Sequence, residues 1–278
     1  MARPIILHQL NAVGLAPAEF IRIAAENDCH HVTVFAYDGG HVLPRSNTGL
    51  TYPTPVTAES KADVRAALED GGVAIDGIEF FPLTAEVDFE VYKPALALGA
   101  ELGASRAVTH IFIENDALVV DRLGTFCEIA EGLGMRVSSE FCPLTPGNPS
   151  LRRAKWLVDQ VGKPSFGIGV DVLHVVRSGA TAGDIAQLEP RYFGITQICD
   201  ARGTHASSDY IKDVHNREVP GLGDLPLHAL LSEVPAALPI EIEVPAAHRR
   251  AAGVTATEHI RDVLSGARSI IGALTPLR

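Results

Sequence analysis

The sequence predicts a single α/β domain built as a closed barrel of eight parallel strands, each followed by a helix. Short β-rich runs alternate with longer stretches of helical spacing along the 278 residues. The number of these pairs and the chain length both match a (β/α)8 barrel, which usually takes about 250 residues. No linker or break in composition divides the chain. We therefore expect one domain over residues 1–278.

The individual elements follow from residue periodicity and from glycine or proline boundaries. The run "HHVTVFAY" is rich in β-branched and aromatic residues and predicts a strand, whereas "AESKADVRAALEDGG" has helical spacing and ends in glycine. Strands are predicted at 4–10, 30–37, 73–81, 105–113, 135–141, 165–172, 192–200 and 238–244, and helices at 16–28, 58–72, 89–103, 116–134, 149–162, 181–188, 225–234 and 255–271.

An open, doubly wound sheet is the rival architecture for this alternation. Such sheets usually carry a glycine-rich phosphate turn after the first strand. The corresponding stretch here, "HQLNAVGLAP", contains one glycine, which favours the barrel. Two long loops, 38–57 and 201–223, are rich in glycine and proline. Loops of that length in a compact domain are often functional lids.

Composition excludes several classes of function. The formal net charge of −11 argues against a nucleic-acid partner, since such partners are usually bound by a basic patch. No apolar run is long enough to span a membrane, and "MARPIILHQL" does not resemble a signal peptide, so we expect a cytoplasmic protein. The four cysteines are widely spaced without a CxxC pair, which predicts buried thiols and neither a disulfide framework nor a zinc knuckle.

Oxygen-bearing side chains stand at the ends of the last four predicted strands: Glu140, Asp171, Gln197 and Glu243. In a (β/α)8 barrel these ends meet at one face, where active sites lie. Burying three carboxylates together is prohibitive without compensation. One divalent cation would compensate them, and ligation by oxygen alone suits Mg²⁺ or Mn²⁺. The competing interpretation is that they are ordinary polar residues paired with arginines.

Strand alternation gives a second indication of which side chains face inward. On the eighth strand, Ile240 and Ile242 share the face suited to packing under helices, while Glu241 and Glu243 share the interior face. Glu241 lies deeper, and we expect it to form a structural ion pair. The seventh strand is less regular, because Ile195 falls on the same face as Gln197.

Five stretches, taken in order, resemble motifs of the xylose isomerase-like TIM barrels, also called the sugar phosphate isomerase/epimerase superfamily. They are "VSSEF", "GVDVLHVVRSG", "ITQICDA", "VPGLGDLPLHALL" and "IEIEVP", and the resemblance is best from about residue 130 to 245. It implies that Glu140, Asp171 and Glu243 are metal ligands. It also implies that His174 contacts the substrate or the surroundings of the metal, and it allows a homo-oligomer.

Gln197 departs from the commoner pattern, since most epimerases of this group have histidine there. Glutamine at this position resembles the ligand set of the 3-dehydroshikimate dehydratases. In the "PGLGDL" stretch, Gly221 and Gly223 could cradle a phosphate, but a tight loop before a helix is the simpler interpretation.

The resemblance implies proton abstraction next to a carbonyl of a small-molecule substrate. Glu140 and Glu243 are the candidate catalytic acid/base groups, and His174 is the candidate proton relay or substrate contact, unless it is a core histidine bonded to backbone. The first hypothesis is a metal-dependent isomerase or epimerase of a sugar or sugar derivative. A 3-dehydroshikimate dehydratase-like lyase is the alternative, followed by a barrel that binds without turnover and by an endonuclease IV-like enzyme.

Five further residues are candidates for substrate binding. Arg177 either orients an anionic substrate or pairs with acids near Asp171. Arg202 and Arg217, in the loop after the seventh strand, could clamp a carboxylate or phosphate, or lie at the surface. Glu79 and His110, at the ends of the third and fourth strands, line the pocket or serve a structural role.

Overall fold

A computed structural model of the chain describes residues 3–38, 53–207 and 209–274. Eight parallel strands form a closed barrel in the order β1 to β8, with β1 also paired to β8. The predicted single (β/α)8 TIM barrel is therefore confirmed as the fold. Most of the predicted lid 38–57 falls on residues 39–52, which lie outside the described residues.

The strands and helices alternate around the barrel, with additional short helices at its carboxyl-terminal face. The strands are β1 Ile5–His8, β2 His31–Phe35, β3 Ala74–Leu83, β4 Arg106–Ile111, β5 Arg136–Glu140, β6 Phe166–Asp171, β7 Phe193–Ile198 and β8 Ile240–Ile242. The helices are α1 Pro17–Glu26, α2 Lys61–Gly71, α3 Lys93–Glu101, α4 Asp116–Glu131, α5 Leu151–Val161, α6 Val172–Arg177, α7 Ala182–Ala186, α8 Tyr210–Val214, α9 Leu227–Ser232, α10 Ala247–Ala251 and α11 Ala256–Gly272.

Helix α5 illustrates why these segments fold as they do. The Ser150 side chain accepts a hydrogen bond from the Arg153 amide and caps the first turn. Leu151, Ala154 and Leu157 follow at helical spacing and are buried, which directs one face toward the barrel. Gly162 ends the helix with a φ of 64°, a left-handed conformation that glycine adopts without steric cost.

A bulge in β7 precedes the residues of the site. Between successive pairs, β6 advances one residue, from Ile168 to Gly169, while β7 advances from Phe193 to Ile195. Gly194 is the extra residue, and a β-carbon there would lie 2.3 Å from the Ser138 hydroxyl. An extra residue shifts the alternation of the strand relative to Phe193. After it, Ile195 and Gln197 pair regularly with β6 and share one face, as the sequence predicts.

Three short helices after β6, β7 and β8 were not predicted. Helix α6 begins immediately after Asp171, where the sequence predicts the strand to continue to residue 172 and the next helix to start near 181. Helices α8 and α10 lie in stretches predicted as loops. Each spans five or six residues, too short for periodicity to distinguish it from a loop.

Candidate active site

The four predicted ligand residues lie at the carboxyl ends of adjacent strands and are buried. Glu140 pairs in register with Gly169, and Asp171 pairs with Gln197. Gln197 in turn pairs with Glu241, two residues before Glu243. All four side chains are at most 5% exposed. The register therefore carries these side chains to one edge of the barrel.

Glu140 is held between two imidazoles. Its Oε1 lies 2.8 Å from Nε2 of His174, and its Oε2 lies 3.6 Å from Nε2 of His110. Burial, reinforced by the nearby carboxylates of Glu243 and Asp171, raises the pKa of Glu140 well above its usual range. The carboxyl group of Glu140 is thus a stronger base than an exposed glutamate.

Asp171 is oriented by the helix that follows it. Its Oδ1 accepts hydrogen bonds from the amides of Leu173 at 2.7 Å and His174 at 3.3 Å, so it caps α6. Its Oδ2 accepts a hydrogen bond from Nη1 of Arg217 at 2.6 Å. Burial alone would raise the pKa of Asp171, but Arg217 and His174 outweigh burial and hold it below its ordinary value. Asp171 is therefore an ionised, fixed acceptor.

His174, one turn into α6, belongs to the same cluster. Ligand atoms of Glu140, Asp171 and His174 lie within 4.8 Å of one another, close enough to hold a metal ion. Burial lowers the pKa of His174, but Cys142 and Asp171 outweigh it and raise the pKa above the ordinary value. The contact with Glu140 favours the functional interpretation of His174 over a core histidine bonded to backbone.

Arg217 is the buried cation of this cluster. Its Nη1 contacts Asp171 and also donates to the Glu243 carbonyl at 3.1 Å. Its Nη2 lies 3.3 Å from Oε1 of Glu243, and its Nε donates to the Val214 carbonyl at 3.1 Å. Arg217 is 2% exposed. It therefore bridges the acids contributed by β6 and by the end of β8.

Gln197 connects Glu243 to the layer below. Its Nε2 donates to Oε2 of Glu243 at 2.5 Å and to Oε1 of Glu241 at 3.0 Å. Its own carbonyl oxygen, Oε1, is buried and has no hydrogen-bond partner in the described part of the chain. An orphaned buried oxygen is costly unless something else binds it.

The layer beneath the strand ends contains two buried side-chain pairs. Nη2 of Arg106 lies 3.2 Å from Oε2 of Glu241, which also accepts a hydrogen bond from Thr33. This confirms the structural ion pair predicted for Glu241. Nε2 of His8 lies 3.0 Å from Oε2 of Glu79. Burial opposes charge on His8, but Glu79 and Glu243 outweigh it and raise the pKa of His8 to about 10. Nδ1 of His8 accepts a hydrogen bond from the Leu10 amide at 3.2 Å, so the proton that faces Glu79 is on Nε2.

His110 is a neutral imidazole at the edge of the cluster. Burial is the main cause that lowers the pKa of His110 to about 4, although Glu79 opposes it. The ring packs on Phe80, with 4.7 Å between the ring centroids. A neutral imidazole offers one donor and one acceptor, which suits contact with a hydroxyl group.

Two predicted substrate ligands lie away from the carboxylates. Arg177 pairs with Asp213, with Nε and Oδ2 2.7 Å apart, and donates to the carbonyls of residues 202, 203 and 205. Arg202 is exposed, and its Nε lies 3.4 Å from Glu218. In this structure their guanidinium groups bind other parts of the protein, and a role of either arginine in substrate binding stays a prediction.

The "PGLGDL" loop is a tight turn around a carboxylate. The buried side chain of Asp200 accepts hydrogen bonds from the amides of Ala201, Gly221 and Leu225 at 2.9–3.0 Å. A β-carbon on Gly223 would lie 2.2 Å from Oδ1 of Asp200. The structural interpretation of this loop therefore holds, since its amides bind the protein's own carboxylate.

One protein family matches this sequence over most of its length. The sequence profile of the xylose isomerase-like TIM barrels matches residues 21–264. The chain belongs to the xylose isomerase-like TIM barrel family. No curated protein matches its sequence.

Solved structures of similar fold include proteins with different names and activities. The IOLI protein with a bound zinc atom is 14% identical, with a TM-score of 0.79 over 99% of this chain and all of that one. The probable 3-DHS dehydratase AsbF from Bacillus anthracis is 19% identical, with a TM-score of 0.69 over 94% and 98% of the two chains. D-psicose 3-epimerase, in the presence of D-fructose, is 16% identical, with a TM-score of 0.68 over 97% and 100%.

The sequence patterns did not assign two residues of the site. His8 contributes a ligand atom to a second potential metal-binding group with Glu241 and Glu243. It is the last residue of β1, so the strand-end rule that found Glu140 could have found it. Cys142 contacts His174 from the loop after β5. All four cysteines are buried and free, as predicted.

Helix length and polarity also bear on the predicted absence of a membrane span. Among the helices that the structure describes, none is both long enough and apolar enough to cross a membrane.

Proposed function

We propose that this protein is a divalent-metal-dependent isomerase or epimerase of a sugar or sugar derivative, acting by proton abstraction next to a carbonyl. The observation that carries the proposal is an imbalance of buried charge. Five carboxyl groups line the barrel interior and the strand ends: Glu79, Glu140, Asp171, Glu241 and Glu243. The arginines that face them are Arg106 and Arg217, and the imidazole of His8 pairs with Glu79.

The imbalance is located at Glu140 and Glu243. Arg106 pairs with Glu241, Arg217 pairs with Asp171, and the imidazole of His8 pairs with Glu79. In the described part of the chain, Glu140 and Glu243 then remain without a cation of their own. Burial raises the pKa of both Glu140 and Glu243, which reflects this shortage of positive charge. A divalent cation would supply the missing charge.

The donor atoms at this edge are of the chemical type that such an ion prefers. Glu140 and Asp171 lie in one potential metal-binding group, with His174, and Glu243 lies in a second, with His8 and Glu241. Three carboxylates and the orphaned Oε1 of Gln197 make an all-oxygen set, which favours Mn²⁺ or Mg²⁺ over Zn²⁺. Glu140, Asp171, Gln197 and Glu243 would hold the ion. When bound there, it would polarise the substrate carbonyl and stabilise the negative charge that develops on its oxygen.

The protein's own groups would move the protons. Glu140 and Glu243 come from β5 and from the end of β8, on either side of Asp171 and Gln197, and would take a proton from the carbon next to the carbonyl or return it. His174, 2.8 Å from Glu140, would orient that carboxylate and contact a substrate hydroxyl. Arg217 and His110 would bind further substrate oxygens, and burial would exclude bulk water from the cluster.

A 3-dehydroshikimate dehydratase-like lyase is the second candidate, favoured by one observation. The amide of Gln197 stands where epimerases of this family commonly have histidine, and the 3-DHS dehydratase AsbF is among the similar structures. A lyase of this kind must grip the substrate carboxylate. Among the residues that the structure describes, Arg217 is the arginine at the acid cluster, and its guanidinium is bound to Asp171 and Glu243. We therefore rank the isomerase first.

One experiment distinguishes the two reactions. Protein loaded with Mn²⁺ or Mg²⁺ is incubated in D₂O with ketohexoses, inosose and 3-dehydroshikimate. Deuterium uptake into a ketose, followed by NMR, supports the isomerase or epimerase. Ultraviolet absorbance of protocatechuate supports the dehydratase. Absence of both reactions contradicts the proposal and favours a barrel that binds without turnover.

Two glutamate variants, a test and its matched control, examine the role of Glu140. Glu140→Gln removes the candidate base at the cluster, and Glu128→Gln removes an exposed glutamate on α4 that pairs with Lys163. We expect deuterium uptake to fall by at least about 100-fold in the first variant, the usual contribution of general acid–base catalysis. It should be unchanged in the second.

A further inference from the structure

We infer that the substrate is an uncharged polyhydroxy ketone and that this site rejects its phosphorylated and carboxylated counterparts. The inference rests on the proposed function and specifies its substrate class. The groups that would otherwise bind an anion are hydrogen-bonded to other parts of the protein. Three such groups stand near the carboxyl ends of the strands: the "PGLGDL" loop, Arg177 and Arg217.

The loop is the first group, and it is occupied. Backbone amides that converge on one point form an anion site. Here the amides of Ala201, Gly221 and Leu225 converge on the buried carboxylate of Asp200. A phosphate would have to displace a carboxylate that is fixed to the preceding strand and 1% exposed.

Arg177 is the second group, and its donors are saturated. A guanidinium has five N–H donors. Nε and Nη2 bind the two carboxylate oxygens of Asp213, at 2.7 and 3.1 Å. Nη1 donates to the carbonyls of Gly203 and His205, and Nη2 donates to that of Arg202. All five donors are therefore used within the protein.

Arg217 is the third group, and it is anchored at Nε and Nη1. Nε is bound to the Val214 carbonyl, while Nη1 is bound to Asp171 and the Glu243 carbonyl. This leaves Nη2, 3.3 Å from the Glu243 carboxylate. One remaining nitrogen can bind a hydroxyl or carbonyl oxygen. It cannot form the paired hydrogen bonds with which arginine grips a carboxylate or phosphate.

The rest of the cluster suits hydroxyl groups. Glu79, Glu140 and Glu243 accept hydrogen bonds, and His110 and His174 can donate or accept them. An anion needs convergent hydrogen-bond donors, and the described groups of this cluster offer mainly acceptors. Two further cations of the loop after β7 are paired at the surface. Lys212 is 73% exposed and pairs with Asp209, and Arg202 is 68% exposed and pairs with Glu218.

The test compares each ketose with its phosphate esters on the metal-loaded full chain. D-Fructose and D-tagatose are assayed beside their 1-phosphates and 6-phosphates, by solvent deuterium exchange. We expect the kcat/KM of the better free ketose to exceed that of each of its esters by at least about tenfold, because a phosphate that enters the site without hydrogen-bond donors loses its solvation uncompensated. Any ester within tenfold of its free ketose, or faster, overturns the inference.

The outcome stays separable from that of the proposed function. If no ketose or ester exchanges, the proposed function fails, and ligand-detected NMR binding decides the substrate class. Binding of a free ketose at least tenfold tighter than its esters upholds the inference, and every other result overturns it. Arg191→Lys provides the control. Arg191 is exposed, lies just before β7 at the amino end of the barrel and pairs with Asp159. The ketose-to-ester ratio should therefore not change, and a ratio does not depend on how much of the variant folds.

Discussion

Buried glutamates in this barrel differ in role. Glu241 and Glu243 are two positions apart, and both are buried. Glu241 accepts from Thr33 and Gln197 and pairs with Arg106, so its lone pairs are used. Glu243 stands at the strand end, and its partners Gln197 and Arg217 are shared with other acids. The first is structural, and the second is available for chemistry.

Replacement of Glu243 tests the metal site. We expect Glu243→Gln to weaken metal binding by at least about tenfold, because an amide is a poorer ligand than a carboxylate. Activity should fall with it. The far-ultraviolet circular dichroism spectrum should not change. Metal content after dialysis, measured by mass spectrometry, is the readout, with Glu128→Gln as the exposed control. Unchanged metal content would mean that this ligand is wrongly assigned.

Replacement of Glu241 tests the structural pair. Glu241→Gln leaves the Arg106 guanidinium buried without a counter-charge, which typically costs about 3–5 kcal/mol. Glu101→Gln breaks the pair with Lys61, in which the glutamate side chain is 54% exposed, and should cost less than about 1 kcal/mol. Urea unfolding of the two variants gives the comparison. Equal losses would contradict the structural role of Glu241.

Among the elements, the connections after β6 and β7 fix the geometry of the site. Helix α6 places His174 one turn beyond Asp171, and its last residue, Arg177, binds the loop after β7. That loop also carries Arg217, which donates a hydrogen bond to Asp171. The "PGLGDL" turn closes the same loop around Asp200. These elements form one hydrogen-bonded unit, so a substitution in one should shift the positions of the others.

Two glycine substitutions test how tightly this turn is packed. Gly223→Ala places a β-carbon 2.2 Å from Asp200 and 2.6 Å from backbone atoms of Ala201, and we expect it to cost about 2 kcal/mol or more. Gly183→Ala, in α7, has 3.6 Å of clearance from the Thr181 hydroxyl and should stabilise by about 0.5–1 kcal/mol. Thermal unfolding should shift in opposite directions. A stable Gly223→Ala variant would mean that the turn is loosely packed.

For the whole molecule, buried histidines link stability to pH. Burial, with Arg217 and Arg250 nearby, lowers the pKa of His215 to about 4. The unfolded chain, with a histidine pKa near 6.5, then binds a proton more readily than the folded chain does. This contribution to stability is present above pH 6.5 and is lost as the pH falls toward 4.

The loss should be measurable at mildly acidic pH. At pH 5.5 we expect the wild type to be destabilised by about 1 kcal/mol relative to pH 7.5 through His215. His215→Asn should show correspondingly less dependence over this interval. Urea unfolding at the two pH values measures the difference. If the variant and the wild type lose equal stability, the folded protein does not hold His215 neutral.

The sequence predicted the architecture of the barrel more completely than the details of its site. The architecture and the positions of Glu140, Asp171, Gln197 and Glu243 at strand ends followed from alternation and element order. His8 lay within reach of the same rule. The bulge at Gly194 and the short helix α6 did not, because neither is long enough to leave a periodic signal.

The sequence by itself determined the family, through the resemblance of its motifs, and the four strand-end oxygens. The oxygens follow because residue periodicity fixes which side chains face inward and barrel closure brings the strand ends together. Only the tertiary structure decided what the arginines bind. Arg177, Arg202 and Arg217 are the same residue type near the same loop, yet one holds the loop, one is exposed and one lies among the acids. A long side chain selects its partner by distance in space, and spacing along the chain does not encode that distance.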